Sequence, residues 1–119
     1  MILKRFDIVW IDFGKNTIGS EQSGLRPSII IQNDTGNKHS PTTIVMPLST
    51  QIHKNPHQPT HTLLKKGDTK GLEEDSMVLG ECMRQVSKRR IVEYIGYISD
   101  EEEKREIKRV YDANFGEVV

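Results

Sequence analysis

One cysteine, Cys82, stands in 119 residues, so no disulfide can form within the chain and nothing calls for an oxidising compartment. Long apolar runs are missing too. No stretch approaches the roughly 20 residues that span a bilayer as a helix, and Met1-Ile2-Leu3-Lys4-Arg5-Phe6-Asp7 holds no apolar h-region of the secretory kind. The expected location is cytoplasmic, with no membrane partner. A charge excess of one sign is also absent. The 17 basic residues balance 17 acidic ones, which argues against a strong non-specific binder of nucleic acid. The balance is uneven along the chain, however. Residues 100–119 hold seven acids and four bases, a net −3, and leave residues 1–99 at +3. A body of that charge is compatible with RNA held in a local groove. With no repeat, linker or low-complexity tract, residues 1–119 read as one domain with a modest core.

What is present reads mainly as β-structure. Phe6 to Phe13 sets Phe6, Ile8 and Trp10 on one face and Val9, Ile11 and Phe13 on the other, the pattern of a strand buried on both sides or of a barrel strand. Residues 14–26 form a loop, and 27–32 form a second strand around the β-branched triplet Ile29-Ile30-Ile31. The turn-formers of Asn33–Pro41 follow. Further strands are expected at Thr42–Leu48, His61–Leu64, Ser76–Leu79 and Ile91–Ile98, the last weakened by Gly96, with a second long loop at 49–60 and a short helical turn at Ser87–Arg90. Ser99 with Glu102 forms a capping box. The helix it opens sets Ile107, Val110, Tyr111 and Phe115 on one apolar face and ends at Gly116. Short strands and one terminal helix predict a small, mainly β barrel.

Arg26 draws attention first. The small polar residues and two glycines of Gly19-Ser20-Glu21-Gln22-Ser23-Gly24 read as a mobile loop, and Pro27 biases Arg26 towards extended backbone just before the buried strand. A fully charged guanidinium therefore stands where a loop meets a rigid strand, a place where functional groups concentrate.

Trp10-Ile11-Asp12-Phe13, Gly19-Ser20-Glu21-Gln22, Gly24-x-Arg26-Pro27 and Gln32-Asn33-Asp34-Thr35-Gly36-Asn37 together resemble the MazF/PemK family. The likeness continues through Ser40-Pro41-Thr42, Pro59-Thr60-His61, Asp75-Ser76 and Glu81, in order and over nearly the whole chain. The resemblance implies an SH3-like barrel with a C-terminal helix, forming a homodimer. It also implies a metal-independent, sequence-specific endoribonuclease, the toxin half of a type II toxin–antitoxin pair. Such a toxin cuts single-stranded mRNA through 2′-hydroxyl attack, leaves 2′,3′-cyclic phosphate and 5′-hydroxyl ends, and arrests growth. No cofactor is implied. The partner implied is a MazE-like antitoxin with a disordered, acidic C-terminal segment.

On that likeness Arg26 is the first catalytic candidate. Its forked donors match a phosphoryl group gaining negative charge, and its pKa makes it a poor base. Its expected role is charge stabilisation, with proton donation to the leaving 5′-oxygen. The family's second catalytic position is a threonine at the end of the third strand, after Pro-x. Here Pro47-Leu48-Ser49-Thr50-Gln51 puts Ser49 there, which keeps the hydroxyl but loses the methyl that stiffens the rotamer. Thr50 takes the role if the register slips by one. Glu21 and Glu81 are the candidate carboxylates, Glu21 as acceptor of the 2′-hydroxyl proton or reader of a base edge. Ser20, Gln22, Asn33, Asn37, Gln51, Glu81 and Arg84 are expected to line the RNA groove. Cys82 departs from the glutamine that often follows the glutamate.

His53, His57 and His61 repeat at helical metal-ligand spacing, but Pro56 and Pro59 break any helix through them. Convergence on a metal from a loop, or a histidine acid–base pair, stays open as a lesser reading. Two rival functions remain beside the ribonuclease: a CcdB-like poison of DNA gyrase on the same fold, and a catalytically weak RNA-binding barrel.

Overall fold

The computed structural model describes residues 2–19 and 22–116. Seven strands form one antiparallel sheet, and two helices pack beside it. The strands are β1 (Asp7–Asp12), β2 (Leu25–Ile30), β3 (Thr42–Ser49), β4 (His61–Leu64), β5 (Ser76–Leu79), β6 (Arg84–Ser87) and β7 (Ile91–Tyr97). The helices are α1 (Asp34–His39) and α2 (Glu101–Ala113). Strand order is β4-β5-β3-β2-β1-β7, with β6 also against β3.

β1 is buried on both faces, as its apolar alternation requires. Ile8 enters one core cluster with Ile29, Met46, Leu48 and the α2 residues Ile107 and Val110. Val9, Ile11 and Phe13 enter a second with Ile30, Val45 and Val86. The sheet therefore curls around two apolar layers, and a lone bridge from Lys70 to Tyr97 draws the 65–75 segment onto β7. Gly96 makes that contact possible: a Cβ there would lie 1.8 Å from the Lys70 carbonyl oxygen.

β3 is the hinge of the topology. Its first half pairs with β6, from Thr42 opposite Ser87 to Val45 opposite Arg84. Its other edge pairs with β2, from Ile30 opposite Val45 to Ser28 opposite Pro47. Pro47 has no N–H to give a ladder bond. Beyond it, Leu48 and Ser49 pair with β5, opposite Val78 and Met77. β5 and β6 thus serve the same edge of β3 in turn, and a single 3₁₀ turn at Gly80–Cys82 interrupts them.

Four details differ from the expectations. The Asn33–Pro41 segment holds a helix rather than turns alone, because Asn33 Oδ1 accepts from the Gly36 N–H (2.8 Å) and caps it. β6 carries one apolar residue buried among polar neighbours, Val86, too weak a pattern to announce a strand. The cap of α2 is Asp100, whose Oδ2 accepts from the Glu103 N–H at 2.9 Å, so the capping register lies one residue beyond Ser99. Tyr111 and Phe115 are exposed and pack against each other with ring centroids 5.4 Å apart and planes tilted by 56°, leaving Ile107 and Val110 to face the core.

Candidate functional site

β2 and β3 part company at Pro47, and the candidate site lies in that parting. The β2–β3 ladder ends at the Ser28–Pro47 pair, and Arg26 on β2 and Ser49 on β3 each lie two residues past it. The two residues also line the same two cavities, one of about 600 Å³ and one of about 300 Å³. Gln51 lines both as well, so Arg26, Ser49 and Gln51 stand where the cavities meet.

Arg26 is half-buried, and its Nε donates to the Ser23 carbonyl at 3.2 Å. That bond orients the side chain and leaves both terminal nitrogens without a hydrogen-bond partner among the described residues. No described carboxylate forms an ion pair with it either. Ser49 Oγ accepts from the Gln51 N–H at 3.1 Å, which fixes the hydroxyl oxygen and frees its proton for a further acceptor. Thr50 is exposed and lines only the larger cavity.

The smaller cavity carries a network that sequence alone did not suggest. His61 is buried, and each ring nitrogen lies 2.8 Å from an oxygen: Nδ1 from the Asn55 carbonyl and Nε2 from Glu81 Oε1. Both oxygens are acceptors, so the ring is held between the loop carbonyl and the carboxylate. Thr60 Oγ1 donates to the other carboxylate oxygen, Oε2, at 2.8 Å. Burial acts to raise the Glu81 carboxyl, but the bonds from His61, the backbone and Thr60 outweigh it and hold the group below its ordinary value. Asn55 itself sits at φ +50°, a left-handed turn held by the His61 ring. Arg109 of α2 and Asn114, the C-cap of that helix, brace the cluster from behind. Arg109 donates to the Pro59 and His61 carbonyls (2.9 and 3.2 Å), and Asn114 Nδ2 donates to the Gly80 carbonyl at 2.9 Å.

Gln22 and Cys82 complete this wall, with Gln22 Nε2 3.9 Å from the Cys82 sulfur. Burial and the nearby Glu81 charge push the Cys82 thiol up despite that bond, so it is a weak nucleophile.

Of the expected site residues, the structure brings Arg26, Ser49, Thr50, Gln51, Gln22 and Glu81 together around the two cavities. Ser20 and Glu21 lie outside the described residues. Asn33, Asn37 and Arg84 are elsewhere. Asn33 caps α1 beyond the far end of β2, a strand about 17–20 Å long. Asn37 is 3% exposed, and its side chain is spent inside the fold. Its Nδ2 donates to the Gln32 carbonyl (2.8 Å), while its Oδ1 accepts from Thr43 (2.8 Å) and Gln32 (3.2 Å). Arg84 lies over the Phe13 ring at 5.4 Å. These contacts give the three residues roles in capping, core satisfaction and packing.

Among the described residues no three His, Cys, Asp or Glu side chains gather in a way that holds a metal ion. His53 and His57 are exposed, whereas His61 is buried. His61 escaped notice as a partner of Glu81 because twenty residues separate them; only the Pro59-Thr60-His61 motif pointed near it. Glu73, Glu74, Glu93 and Tyr94, which line the larger cavity with Trp10, carried no local signal.

Comparison with known proteins shows the family and the fold. The profile of the family described as PemK-like, MazF-like toxin of type II toxin-antitoxin system matches residues 4–110. Endoribonuclease MazF of Staphylococcus saprophyticus is 41% identical over 115 residues, covering 97% of this chain and 92% of that protein. Among solved structures, an endoribonuclease in complex with its cognate antitoxin from a mycobacterial species superposes with a TM-score of 0.71 at 17% identity, covering 95% of this chain and 92% of that one. A MazE-MazF crystal structure from Deinococcus radiodurans gives 0.68 at 18% identity, over 96% and 93%. The two structures establish a shared fold: a mainly β, SH3-like barrel with a C-terminal helix.

Proposed function

The chain belongs to the PemK-like, MazF-like toxin family, and from that premise we propose that it is a metal-independent endoribonuclease that cuts single-stranded mRNA. The observation that carries this reading is the meeting of Arg26 and Ser49 at the junction of the two cavities, with the guanidinium's outer nitrogens free of any described carboxylate. In the reaction the 2′-oxygen attacks phosphorus, its proton passes to a carboxylate, and the bond to the 5′-oxygen breaks. The products are a 2′,3′-cyclic phosphate and a 5′-hydroxyl. Arg26 faces the phosphoryl oxygens as they gain charge and supplies the proton to the leaving oxygen. Ser49 donates its hydroxyl proton to the same phosphate. Gln22, Gln51 and Glu81 contact neighbouring nucleotides, and Glu21 takes the 2′-hydroxyl proton.

The protein acts in the cytoplasm as a homodimer, and a MazE-like antitoxin with an acidic, disordered segment neutralises it. The exposed apolar side chains of β7, Val92 and Tyr97 among them, support a self-association surface. The gyrase-directed alternative requires neither Arg26 nor Ser49. Purified protein incubated with a long RNA in EDTA tests the reading. Fragments bearing 5′-hydroxyl ends, produced by wild type and not by Arg26→Ala, support it. Intact RNA, or cleavage only after metal is restored, overturns it.

A further inference from the structure

The larger cavity has walls suited to a nucleobase rather than to a phosphate. Trp10, Tyr94 and Leu72 are on its lining, and aromatic side chains of this kind stack single-stranded bases. Its volume of about 600 Å³ is in the range of small-ligand sites. Glu73, Glu74 and Glu93 add three carboxylates on its lining, and none has a cationic partner among the described residues. These acids repel the phosphate backbone, while Arg26, on the same lining, attracts it. A strand that places its scissile phosphate at Arg26 and Ser49 can therefore send only a neutral base into this space.

Resting on the endoribonuclease reading, we propose that the larger cavity receives the base flanking the cut, and that Glu73, Glu74 and Glu93 select an amino-bearing base over uracil. Carboxylates accept hydrogen bonds and cannot donate them. The exocyclic amino groups of cytosine, adenine and guanine are donors and match them, as carboxylate pairing with cytosine N4 illustrates. Uracil has no exocyclic amino group, and its single N3–H lies between two carbonyl oxygens that the same acceptors repel, so it is disfavoured. Glutamine in place of glutamate keeps the size and supplies N–H donors for those carbonyls.

The experiment compares wild type with E73Q/E74Q/E93Q on one long RNA of mixed sequence, mapping every new 5′ end and tabulating the bases on both sides of each cut. Wild type is expected to exclude uracil at one flanking position. The triple variant should raise uracil there by about tenfold, the scale of one good base contact, and keep the preference on the other side. Cleavage with the same base distribution in both proteins overturns the cavity assignment and leaves the ribonuclease reading standing. Intact RNA with wild type overturns the ribonuclease reading, and the assignment with it.

Discussion

His61 Nε2 lies 2.8 Å from Glu81 Oε1, and the same ring reaches the Asn55 carbonyl with its other nitrogen. One buried imidazole thus ties the 50–60 loop to the 3₁₀ turn between β5 and β6. It fixes the wall that faces Arg26. Glu81 lies below its ordinary value of 4.5 because hydrogen bonds to its charged form outweigh burial. A carboxyl depressed in the folded state stabilises the fold above the unfolded value, and that stabilisation is lost as pH falls through the folded one. The lead in melting temperature of wild type over Glu81→Gln should therefore be steady above about pH 5.5 and fade below about pH 4. A lead that grows on acidification contradicts the pairing. His61→Phe should remove the same pH dependence.

Ser49 and Thr50 differ in what they can reach. Ser49 lines both cavities beside Arg26, whereas Thr50 lines one and is exposed. Ser49→Ala should slow cleavage by about 100-fold, the size of one lost donor to a developing oxyanion, and Thr50→Ala by a few-fold at most. Ser49→Thr keeps the hydroxyl and restricts its rotamers, so it should retain activity. Single-turnover rates on one short RNA decide this, and the reverse ranking moves the hydroxyl's role to Thr50.

Asn37 offers the opposite test, a residue of stability rather than of function. Its side chain satisfies Gln32 and Thr43 inside the fold, and its carbonyl accepts from Lys88 Nζ. Asn37→Ala should cost about 1–3 kcal/mol by leaving buried groups unpaired, measured by denaturant unfolding. An unchanged midpoint with weakened RNA binding would return it to the groove.

How much of this was legible beforehand follows from where each signal lives. β1, β2, β3, β4, β5, β7 and α2 announced themselves through local apolar alternation, β-branched content or helical spacing. β6 did not, since Val86 alone carries its apolar signal and its pairing with β3 supplies the rest. Arg26 was marked by the loop-to-strand boundary at Pro27, and Ser49 only by likeness to a family. Asn37 misled for a physical reason. A turn-forming polar residue looks the same in sequence whether it faces solvent or, as here, closes a buried network. The Glu81–His61 pair and the aromatic, acidic cavity depend on contacts between β4, the 3₁₀ turn, β1 and β7, which no local window contains.

Inhibition should use the same surface as the substrate. Arg26 and Lys54 line the smaller cavity, where an acidic peptide and RNA would compete. Adding a non-cleavable RNA should lower the apparent affinity of an acidic antitoxin peptide, and salt should weaken both ligands. Simultaneous binding at full affinity would place the peptide elsewhere.

The central claim is that Arg26 and Ser49, which line the same two cavities, act on one phosphate. The direct measurement is a double-mutant cycle of cleavage rates for wild type, Arg26→Ala, Ser49→Ala and the pair, with folding of each checked by its melting transition. Groups that serve one transition state are strongly non-additive. Each single variant should therefore lose at least about 100-fold, and the double variant should be little slower than the worse single one. A single variant that cuts at the wild-type rate, or losses that multiply cleanly in the double, would contradict the account.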